Sequence, residues 1–367
     1  MKKSSLNRGH ETLHGLVILD RIGDPVFGMN KSIILAEKYL QKHNIRLYYI
    51  SSSSPHRLII STIRMLLKSR KLNFDFVIFN SAASIYYVNV HGIYTSFALP
   101  LFYLFSKFKI PIYIYWHETE WAFKRLKEEK PLGFKLMNKI ASRPEVTHLT
   151  ASEVCNRYIK NCYPGTMSYV INECSIIPDD YNKIVVPSNP PKVINIASMQ
   201  ERKGTDLFVK TAIEVCKKHP SVEFVWIGDE KKFGTWKNDI QLAGLQDRIR
   251  FLGYMYIPFS ELHTASLFFL ASRDDPFPLS VLEAMCLGRN ILTFNVGGAP
   301  EALGGHGILI EPFDTDAAAN EILKLLGSPP EKLINKKLRE RYYQLYTPEI
   351  FAVKLNDIVR NRLEKTK

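Results

Sequence analysis

The sequence predicts an α/β protein made of two doubly wound domains, each built on a mainly parallel sheet. Short runs of β-branched and aromatic residues alternate with longer amphipathic segments along the whole chain, and this scheme occurs twice. The chain has 367 residues, 46% of them hydrophobic and 23% charged, which is typical of a globular protein long enough for two domains.

Twelve short runs carry this prediction, six in each half of the chain. Because segments with helical spacing separate them, we expect parallel strands joined by helices. The runs of the first half are 13–20, 46–51, 74–80, 110–116, 147–152 and 167–172. The runs of the second half are 192–198, 222–228, 248–253, 266–272, 290–295 and 306–311.

Two helices can be placed closely from the sequence. The helix predicted at 205–217 has apolar residues at the spacing of one helical face. These residues are Val209, Ala212, Ile213 and Cys216. The helix predicted at 349–364 follows Thr347 and Pro348, a typical N-cap followed by proline at the first helical position.

The domain boundary is predicted in a stretch with three prolines, residues 184–192, which disfavours both helix and strand pairing. We expect an N-terminal domain at 1–186 and a second domain at 187–346. The last segment, 347–367, is expected to return to the N-terminal domain as a helix. Ligands of open α/β sheets bind at the carboxyl ends of strands, so the loops after strands should carry the function in a cleft between the domains.

The net charge of +13 is unevenly distributed. Residues 1–180 hold 24 Lys and Arg against 14 Asp and Glu, whereas the remainder holds 25 against 22. A basic first half favours an anionic partner such as a phospholipid surface or a phosphorylated substrate, and a solvated basic surface is the alternative. Without an aromatic RNA-binding signature or zinc-finger spacing, we expect no nucleic-acid partner.

The five cysteines are scattered and include no CxxC pair, so we expect thiols in a reducing compartment and neither disulfides nor a zinc site. The basic N-terminus lacks the apolar region of a signal peptide, and no apolar run is long enough to span a bilayer. These features predict a cytoplasmic protein.

The stretch DDPFPLSVLEAM places two acids around the start of a helix, Asp275 in the loop and Glu283 inside the helix. With Pro278 at the first helical position, the amides of Leu279 and Ser280 should point out of the helix end towards an anion. Glu283 could accept hydrogen bonds from a vicinal diol, and Asp275 from the hydroxyls of a second ring. A turn residue and an exposed helical acid are the alternatives.

Two further loops of the second half follow predicted strands. Arg202 and Lys203 precede Gly204 and a helix, which favours diphosphate binding, with a solvated basic turn as the alternative. Gly297 and Gly298 form a tight turn, for which a structural role and ligand contact are equally good interpretations.

Two loops of the first half are candidates of the same kind. His117 directly follows an apolar run and could hydrogen-bond a substrate hydroxyl or carbonyl. Gly23 and Gly28 precede a predicted helix and could let backbone amides approach a phosphate or a sugar. A structural histidine and a plain strand-to-helix turn are the alternatives.

Taken together, these loops resemble glycosyltransferase family 4, the retaining, nucleotide-sugar-dependent enzymes with the GT-B fold. The resemblance is strongest across residues 192–312, where a series of motifs follows the order of the family. The ordered series is specific, whereas no single motif is. In the first half it is limited to the glycine loop and WHE at 116–118. The motifs of the second half are RKGTDLF, FVWIG, FLGY, LASRDDPFPLSVLEAMCLG, GGAPEAL and GILIEP.

The resemblance implies that the domain at 1–186 lies on the acceptor side and that the domain at 187–346 binds the nucleotide sugar. It also implies a role for each candidate. The second acid of the pair, Glu283, would bind the ribose of the nucleotide, and the first acid, Asp275, would contact the donor sugar. Lys203 and Arg202 would bind the diphosphate. From the first domain, His117 would lie against the donor sugar and Gly28 would approach the diphosphate. The resulting candidates are His117 and Asp275 as catalytic residues and Gly28, Arg202, Lys203, Phe277, Leu279, Ser280 and Glu283 as donor-binding residues.

The sequence departs from the family pattern at three places. The first acid is usually Glu, but Asp275 is one methylene shorter. The usual Phe-Gly is Phe277–Pro278, which removes one amide donor from the phosphate site. An arginine often found five positions before the lysine is Ser198 here, and we expect Arg202 to replace it.

The resemblance further implies a metal-independent, retaining sugar transfer to a glycan or lipid-linked acceptor, with no cofactor besides the donor. Surface polysaccharide or lipopolysaccharide synthesis at the inner face of a membrane is the expected setting, with an anionic membrane surface as a further partner. Another GT-B enzyme, such as a nucleotide-sugar epimerase, and a non-catalytic nucleotide-sugar-binding partner of a transferase are the alternatives.

Overall fold

The chain divides into two compact units. Residues Met1–Asn172 and Pro348–Lys367 form the first unit, and residues Glu173–Thr347 form the second. The computed structural model describes residues 11–19, 28–51, 74–80, 89–90, 93–94, 102, 105–107, 109–129, 131–230 and 236–366.

The first unit is built on a six-stranded sheet with the strand order β2-β1-β3-β6-β7-β8, in which all pairings are parallel. Both faces of its central strands are buried, which explains their continuous apolar sequences. The strands are β1 (Leu13–Leu19), β2 (Ile45–Ser51), β3 (Phe76–Phe79), β6 (Ile112–Trp116), β7 (Val146–Thr150) and β8 (Met167–Val170). A two-stranded antiparallel hairpin, β4 (Asn89–Val90) and β5 (Ile93–Tyr94), was not predicted.

Four helices of the first unit have bounds within the described residues before position 172. They are α1 (Gly28–Lys42), α2 (Glu120–Glu129), α3 (Pro131–Ala141) and α4 (Glu153–Cys162). Ser152 caps α4 by accepting a hydrogen bond from the amide of Cys155. Phe102 and Phe105 are buried in the core of this unit.

The second unit repeats the plan, with a parallel six-stranded sheet in the order β11-β10-β9-β12-β13-β14. Its strands are β9 (Lys192–Ile196), β10 (Glu223–Ile227), β11 (Ile249–Phe251), β12 (Leu267–Leu270), β13 (Asn290–Phe294) and β14 (Ile308–Ile310). Its helices are α5 (Thr205–Lys218), α6 (Trp236–Leu242), α7 (Phe259–His263), α8 (Leu279–Cys286), α9 (Ala299–Leu303), α10 (Thr315–Leu326) and α11 (Lys336–Leu345). All twelve predicted strands are therefore confirmed, with shifts of a few residues at their ends.

The last helix, α12 (Pro348–Thr366), belongs to the first unit although it follows the second unit in sequence. It begins at the predicted proline. Phe351 lies 6.1 Å from the ring of Tyr115, and the Arg360 guanidinium donates a 2.8 Å hydrogen bond to the carbonyl oxygen of His43. These contacts tie α12 both to the sheet and to the end of α1.

The proline-rich stretch 184–192, in which the domain boundary was placed, lies within the second unit. The buried Arg289 guanidinium donates a 2.8 Å hydrogen bond to the carbonyl oxygen of Val185. The amide of Ser188 donates a 2.9 Å hydrogen bond to the carbonyl oxygen of Thr264. The stretch is therefore held against the second unit, even though its prolines exclude it from regular structure.

Candidate functional site

The predicted site residues lie in both units. His117 and Gly28 belong to the first unit, and the other candidates belong to the second. Those of the second unit are Arg202, Lys203, Asp275, Phe277, Leu279, Ser280 and Glu283. The second-unit residues follow β9 and β12, neighbouring strands at the centre of the parallel sheet. Their loops start at the same edge because parallel strands end at the same edge.

The loop after β9 approaches the end of β12 closely because it contains Gly204. This glycine has a φ of +70°, and a Cβ atom added to it would lie 1.9 Å from the carbonyl oxygen of Ala271. Only glycine fits both the left-handed conformation and this contact. The glycine of the RKG motif therefore brings the two preceding cations to the loop that carries Asp275.

Lys203 and Asp275 form a largely buried ion pair between these two loops. The Lys203 ammonium contacts the Asp275 carboxylate, and their side chains are 17% and 8% exposed. Burial lowers the pKa of Lys203, the Arg202 charge acts in the same direction, and the Asp275 carboxylate opposes both. The pair holds a cation and an acid side by side at the carboxyl end of the sheet.

Arg202 braces the same loop through the backbone. Its guanidinium donates a 2.7 Å hydrogen bond to the carbonyl oxygen of Asp274, and its own carbonyl oxygen accepts a 2.8 Å hydrogen bond from the amide of Arg273. The Ser198 side chain, at the position where the family often has arginine, accepts a hydrogen bond from Gln200. Arg202 therefore lies against the loop that carries the candidate acid.

The glycine pair Gly297–Gly298 supports the other side of the acid loop. The amide of Gly298 donates a 2.8 Å hydrogen bond to the carbonyl oxygen of Asp275. A Cβ atom on Gly297 would lie 2.3 Å from that oxygen, and one on Gly298 would lie 2.0 Å from the carbonyl oxygen of Pro276. The glycines thus have a structural role, because they let the two loops pack backbone to backbone.

Helix α8 begins one residue later than predicted. Pro278 was expected at the first helical position, but it is the N-cap, and Leu279 is the first helical residue. No side chain caps this end, and the amide of Val281 donates a 3.1 Å hydrogen bond to the carbonyl oxygen of Pro278. Phe277 is 3% exposed and packs edge-on against Tyr346, which anchors the loop in the second unit.

Glu283 is buried inside the second unit, contrary to the alternative of an exposed helical acid. The hydroxyl of Ser175 donates a 2.9 Å hydrogen bond to its Oε1 atom. The hydroxyl of Tyr342, on α11, donates a 2.6 Å hydrogen bond to the carbonyl oxygen of Ser175. Sequence reasoning missed Ser175 and Tyr342, since no local motif marks contacts between positions so distant in sequence.

In the first unit, His117 lies directly after β6 and is 7% exposed. Its Nε2 atom lies 3.5 Å from the Oδ1 atom of Asn80, and the side-chain amide of Asn80 donates a 3.0 Å hydrogen bond to Asn30. Because the Asn80 oxygen is an acceptor, this contact favours the proton on Nε2. Asn80 follows β3 and Asn30 lies in the first turn of α1, and neither was predicted.

Gly28 opens α1, the helix predicted to begin after the glycine loop. Gly23, the other glycine of that loop, lies outside the described residues. Within the described part of the chain, no group of three or more His, Cys, Asp and Glu residues is arranged to hold a metal ion. No helix among the described residues combines the length and apolar character needed to cross a bilayer.

Comparison with known families locates the family pattern in the second unit. Residues 177–344 match the family model described as Glycosyl transferases group 1. This region belongs to that family. The match contains the positions of Arg202, Lys203, Asp275 and Glu283, so the resemblance that was drawn from the sequence motifs is confirmed there.

Curated relatives match about half of the chain or less. One of the subunits of phosphatidylinositol N-acetylglucosaminyltransferase from Arabidopsis thaliana is 31% identical over 178 residues, 47% of this chain and 39% of that protein. Alpha-D-kanosaminyltransferase of Streptomyces kanamyceticus is 28% identical over 43% of this chain and 40% of that protein. Poly(glycerol-phosphate) alpha-glucosyltransferase of Bacillus subtilis (strain 168) is 27% identical over 52% of this chain and 29% of that protein. The matched part spans about two fifths of the first two relatives.

Solved structures of other proteins extend the likeness to almost the whole chain. Sucrose-phosphate synthase from Thermosynechococcus elongatus aligns with a TM-score of 0.75 and 16% identity over 97% of this chain and 100% of that chain. Anabaena Alr3699/HepE, in complex with UDP and glucose, aligns with a TM-score of 0.70 and 15% identity over 94% of this chain and 99% of that chain. At such identities the likeness shows the fold alone, and the predicted α/β GT-B fold is confirmed.

Proposed function

We propose that the protein is a retaining glycosyltransferase that moves a sugar from a nucleotide-sugar donor to a glycan or lipid-linked acceptor. The observation that carries the proposal is the buried Lys203–Asp275 pair, which lies within the region that matches the family. This pair lies in the loops that precede α5 and α8, and Glu283 lies inside α8.

The cations are proposed to bind the donor diphosphate. The Lys203 ammonium, the Arg202 guanidinium and the open N-terminal turn of α8 supply positive charge and donors for an anion. A bound diphosphate would share the ammonium with Asp275, whose carboxylate could then turn to hydroxyls of the donor sugar. As the diphosphate leaves, these groups stabilise the growing charge, which is the electrostatic contribution to the rate.

The nucleotide is proposed to be a uridine diphosphate, with Glu283 accepting hydrogen bonds from its ribose hydroxyls. This choice is supported by solved structures with the same fold, since the Anabaena protein has been solved in complex with UDP and glucose and in complex with UDP-glucose. A carboxylate suits a vicinal diol because its two oxygens can accept from both hydroxyls.

In the proposed reaction, the acceptor oxygen bonds to the anomeric carbon on the face from which the diphosphate departs. The bond between this carbon and the diphosphate oxygen breaks, and the acceptor proton passes to the leaving diphosphate. His117 would hydrogen-bond a substrate hydroxyl through its imidazole. No metal ion or further cofactor enters the proposal, so chelators should leave turnover unchanged.

We test the reaction with UDP-glucose and UDP-N-acetylglucosamine against a panel of glycan and lipid-linked acceptors, following UDP release and the anomeric configuration of the product by NMR. The proposal expects UDP release coupled to a product of unchanged anomeric configuration. An inverted product would overturn the retaining mechanism. Conversion of the donor to another UDP-sugar without acceptor product would indicate an epimerase, and binding without turnover would indicate a non-catalytic partner.

The acceptor is proposed to be presented at an anionic membrane surface during surface polysaccharide or lipopolysaccharide synthesis. A groove of about 830 Å³ in the first unit supports this proposal. Among its lining residues are Phe123, Leu132 and Phe134, together with Lys135 and Lys139. Leu132 is 75% exposed, so an apolar side chain and two cations share one surface.

Lys135 and Lys139 lie on α3, and two basic residues of the preceding helix α2 are poorer candidates for this surface. Lys124 pairs with Glu120 at 3.0 Å and Arg125 pairs with Glu129 at 2.6 Å, so acids offset their charges. Lys135 and Lys139 form no ion pair within the described part of the chain.

Vesicle sedimentation with K135E/K139E and the matched control K124E/R125E separates the two sets of cations. Binding to vesicles with anionic lipid should fall tenfold or more in K135E/K139E, since each basic residue near such a surface contributes about 1 kcal/mol. The control should lose less because its charges are already paired. Equal binding of the wild type to neutral and anionic vesicles would overturn the membrane proposal.

A further inference from the structure

Glu283 is held by a chain of two hydrogen bonds that reaches it from distant parts of the sequence. Ser175 lies 108 positions before Glu283 and is completely buried. Its hydroxyl donates to the Oε1 atom of Glu283 at 2.9 Å, while its carbonyl oxygen accepts from the Tyr342 hydroxyl at 2.6 Å. All three residues belong to the second unit, so the chain is internal to one compact body.

The donors in this chain have fixed directions. Tyr342 is 2% exposed on α11, a helix that packs against α8. Burial raises the pKa of the Tyr342 hydroxyl, with further increases from Cys286, so the hydroxyl keeps its proton and donates. With its carbonyl oxygen held in this way, Ser175 presents its hydroxyl to one oxygen of Glu283.

Glu283 can accept several hydrogen bonds at once. An ionised carboxylate has about four acceptor positions on its two oxygens, and the Ser175 hydroxyl uses one of those on Oε1. A hydrogen bond from a fixed donor also limits rotation of the side chain, which is the general role of a supporting shell around a binding group.

We infer that Ser175 and Tyr342 are positioning residues that orient the Glu283 carboxylate to accept hydrogen bonds from both ribose hydroxyls of the nucleotide. This inference rests on the proposed function, which gives Glu283 the ribose. It adds two residues that need not touch the donor and that act through Glu283. Ser175 lies outside the region that matches the family, 177–344.

The test compares the dissociation constants of UDP and 2′,3′-dideoxy-UDP, measured by calorimetry. Their ratio reports the ribose hydroxyls alone, because both ligands share the base and the diphosphate. In the wild type we expect UDP to bind at least tenfold more tightly, since a hydrogen bond to a charged group contributes about 1.5–3 kcal/mol. E283Q should bring the ratio close to one.

The informative variants are Ser175→Ala and Tyr342→Phe. S175A should reduce the preference for UDP over dideoxy-UDP about fivefold or more while leaving the affinity for dideoxy-UDP unchanged. Y342F should reduce the same preference by a smaller factor. S175T keeps the hydroxyl and should preserve the ratio. The control S266A removes another buried serine hydroxyl of the same unit, one that accepts from the amide of Lys192, and should leave the ratio unchanged.

The outcomes separate the inference from the function on which it rests. If the wild type prefers UDP and E283Q abolishes this preference, but S175A keeps it, the inference is overturned and the proposed role of Glu283 stands. If the wild type does not distinguish the two ligands, the ribose role of Glu283 fails together with the inference. If S175A does not fold, S175C provides the same comparison, because a thiol is only a weak donor.

Discussion

The two units share one architecture, but they hold their candidate residues in different ways. In the second unit, glycines at close backbone contacts bring two loops together, and the candidate acid and lysine form a buried ion pair. In the first unit, His117 is held by neutral amides, first Asn80 and then Asn30. Under the proposed function, this difference would make the second unit the source of charge for the leaving diphosphate and the first unit the source of oriented neutral hydrogen bonds.

The largest expected effect is that of Lys203→Ala on turnover. Removing a cation that stabilises a leaving diphosphate should lower kcat about 100- to 1,000-fold. It also leaves Asp275 buried without its partner, at a cost of about 3 kcal/mol in the free energy of unfolding. Initial rates are measured below the melting temperature, beside Lys217→Ala, which removes an exposed lysine paired with Glu214. Equal losses in both variants would contradict the assignment of charge to this loop.

Gly204→Ala tests whether the second unit depends on close backbone contact. The added Cβ would clash with the carbonyl oxygen of Ala271 at a φ of +70°, so we expect a loss of about 3 kcal/mol in the free energy of unfolding. Gly244→Ala is the matched control. Its φ is +66°, but nothing lies within 4 Å, so about 1 kcal/mol is expected. Chemical denaturation measures both, and equal losses would assign the whole effect to the backbone conformation.

The buried His148 predicts that the stability of the first unit depends on pH. Burial lowers its pKa from 6.5 to about 4, and its Nδ1 atom accepts a 2.9 Å hydrogen bond from the indole of Trp116. The pKa of His148 is about 4 in the folded state and 6.5 in the unfolded state, so the unfolded state binds more protons between these two pH values. The free energy of unfolding therefore falls as the pH falls below 6.5. Between pH 7.5 and 5 the first unit should lose about 2 kcal/mol.

The check is denaturant unfolding at several pH values with wild type and His148→Phe. The variant should lack this part of the pH dependence whatever its own stability. A slope between pH 6.5 and 5 that is the same in both proteins would mean that His148 does not titrate as its burial implies.

The smallest expected effect is that of Asn80→Ala. Without the Asn80 oxygen, the His117 ring loses the acceptor that orients it, so kcat should fall about tenfold while the dissociation constant of UDP stays unchanged. Asn138→Ala, which removes an amide bonded to Tyr163 in the same unit, should leave both values close to those of the wild type. A weakened affinity for UDP in N80A alone would contradict the division of roles between the units.

The fold could be predicted from the sequence because buried parallel strands leave continuous apolar runs, and helices leave a different period between them. The hairpin Asn89–Val90 and Ile93–Tyr94 was missed because two-residue strands are too short to show a pattern. Pro278 was placed one residue too far into α8, since the sequence cannot distinguish the N-cap from the first helical position.

The candidate site could be predicted only where its signals are local. Lys203, Gly204 and Asp275 lie in short motifs, and the structure brings them together. Ser175 has no such signal, because its contacts with Glu283 and Tyr342 join positions 108 and 167 residues apart. Asn80 was missed for the same reason, since it reaches His117 from another strand.

The most direct test of the central claim is a thermal-shift panel of UDP-, GDP-, ADP- and CMP-linked sugars with the wild type, Lys203→Ala and Glu283→Ala. A ligand present at a hundred times its dissociation constant stabilises the native state by about 2.7 kcal/mol. We predict a shift of the melting temperature with UDP-sugars that both variants lose. A shift of equal size in the wild type and both variants would contradict the claim that these residues bind the donor.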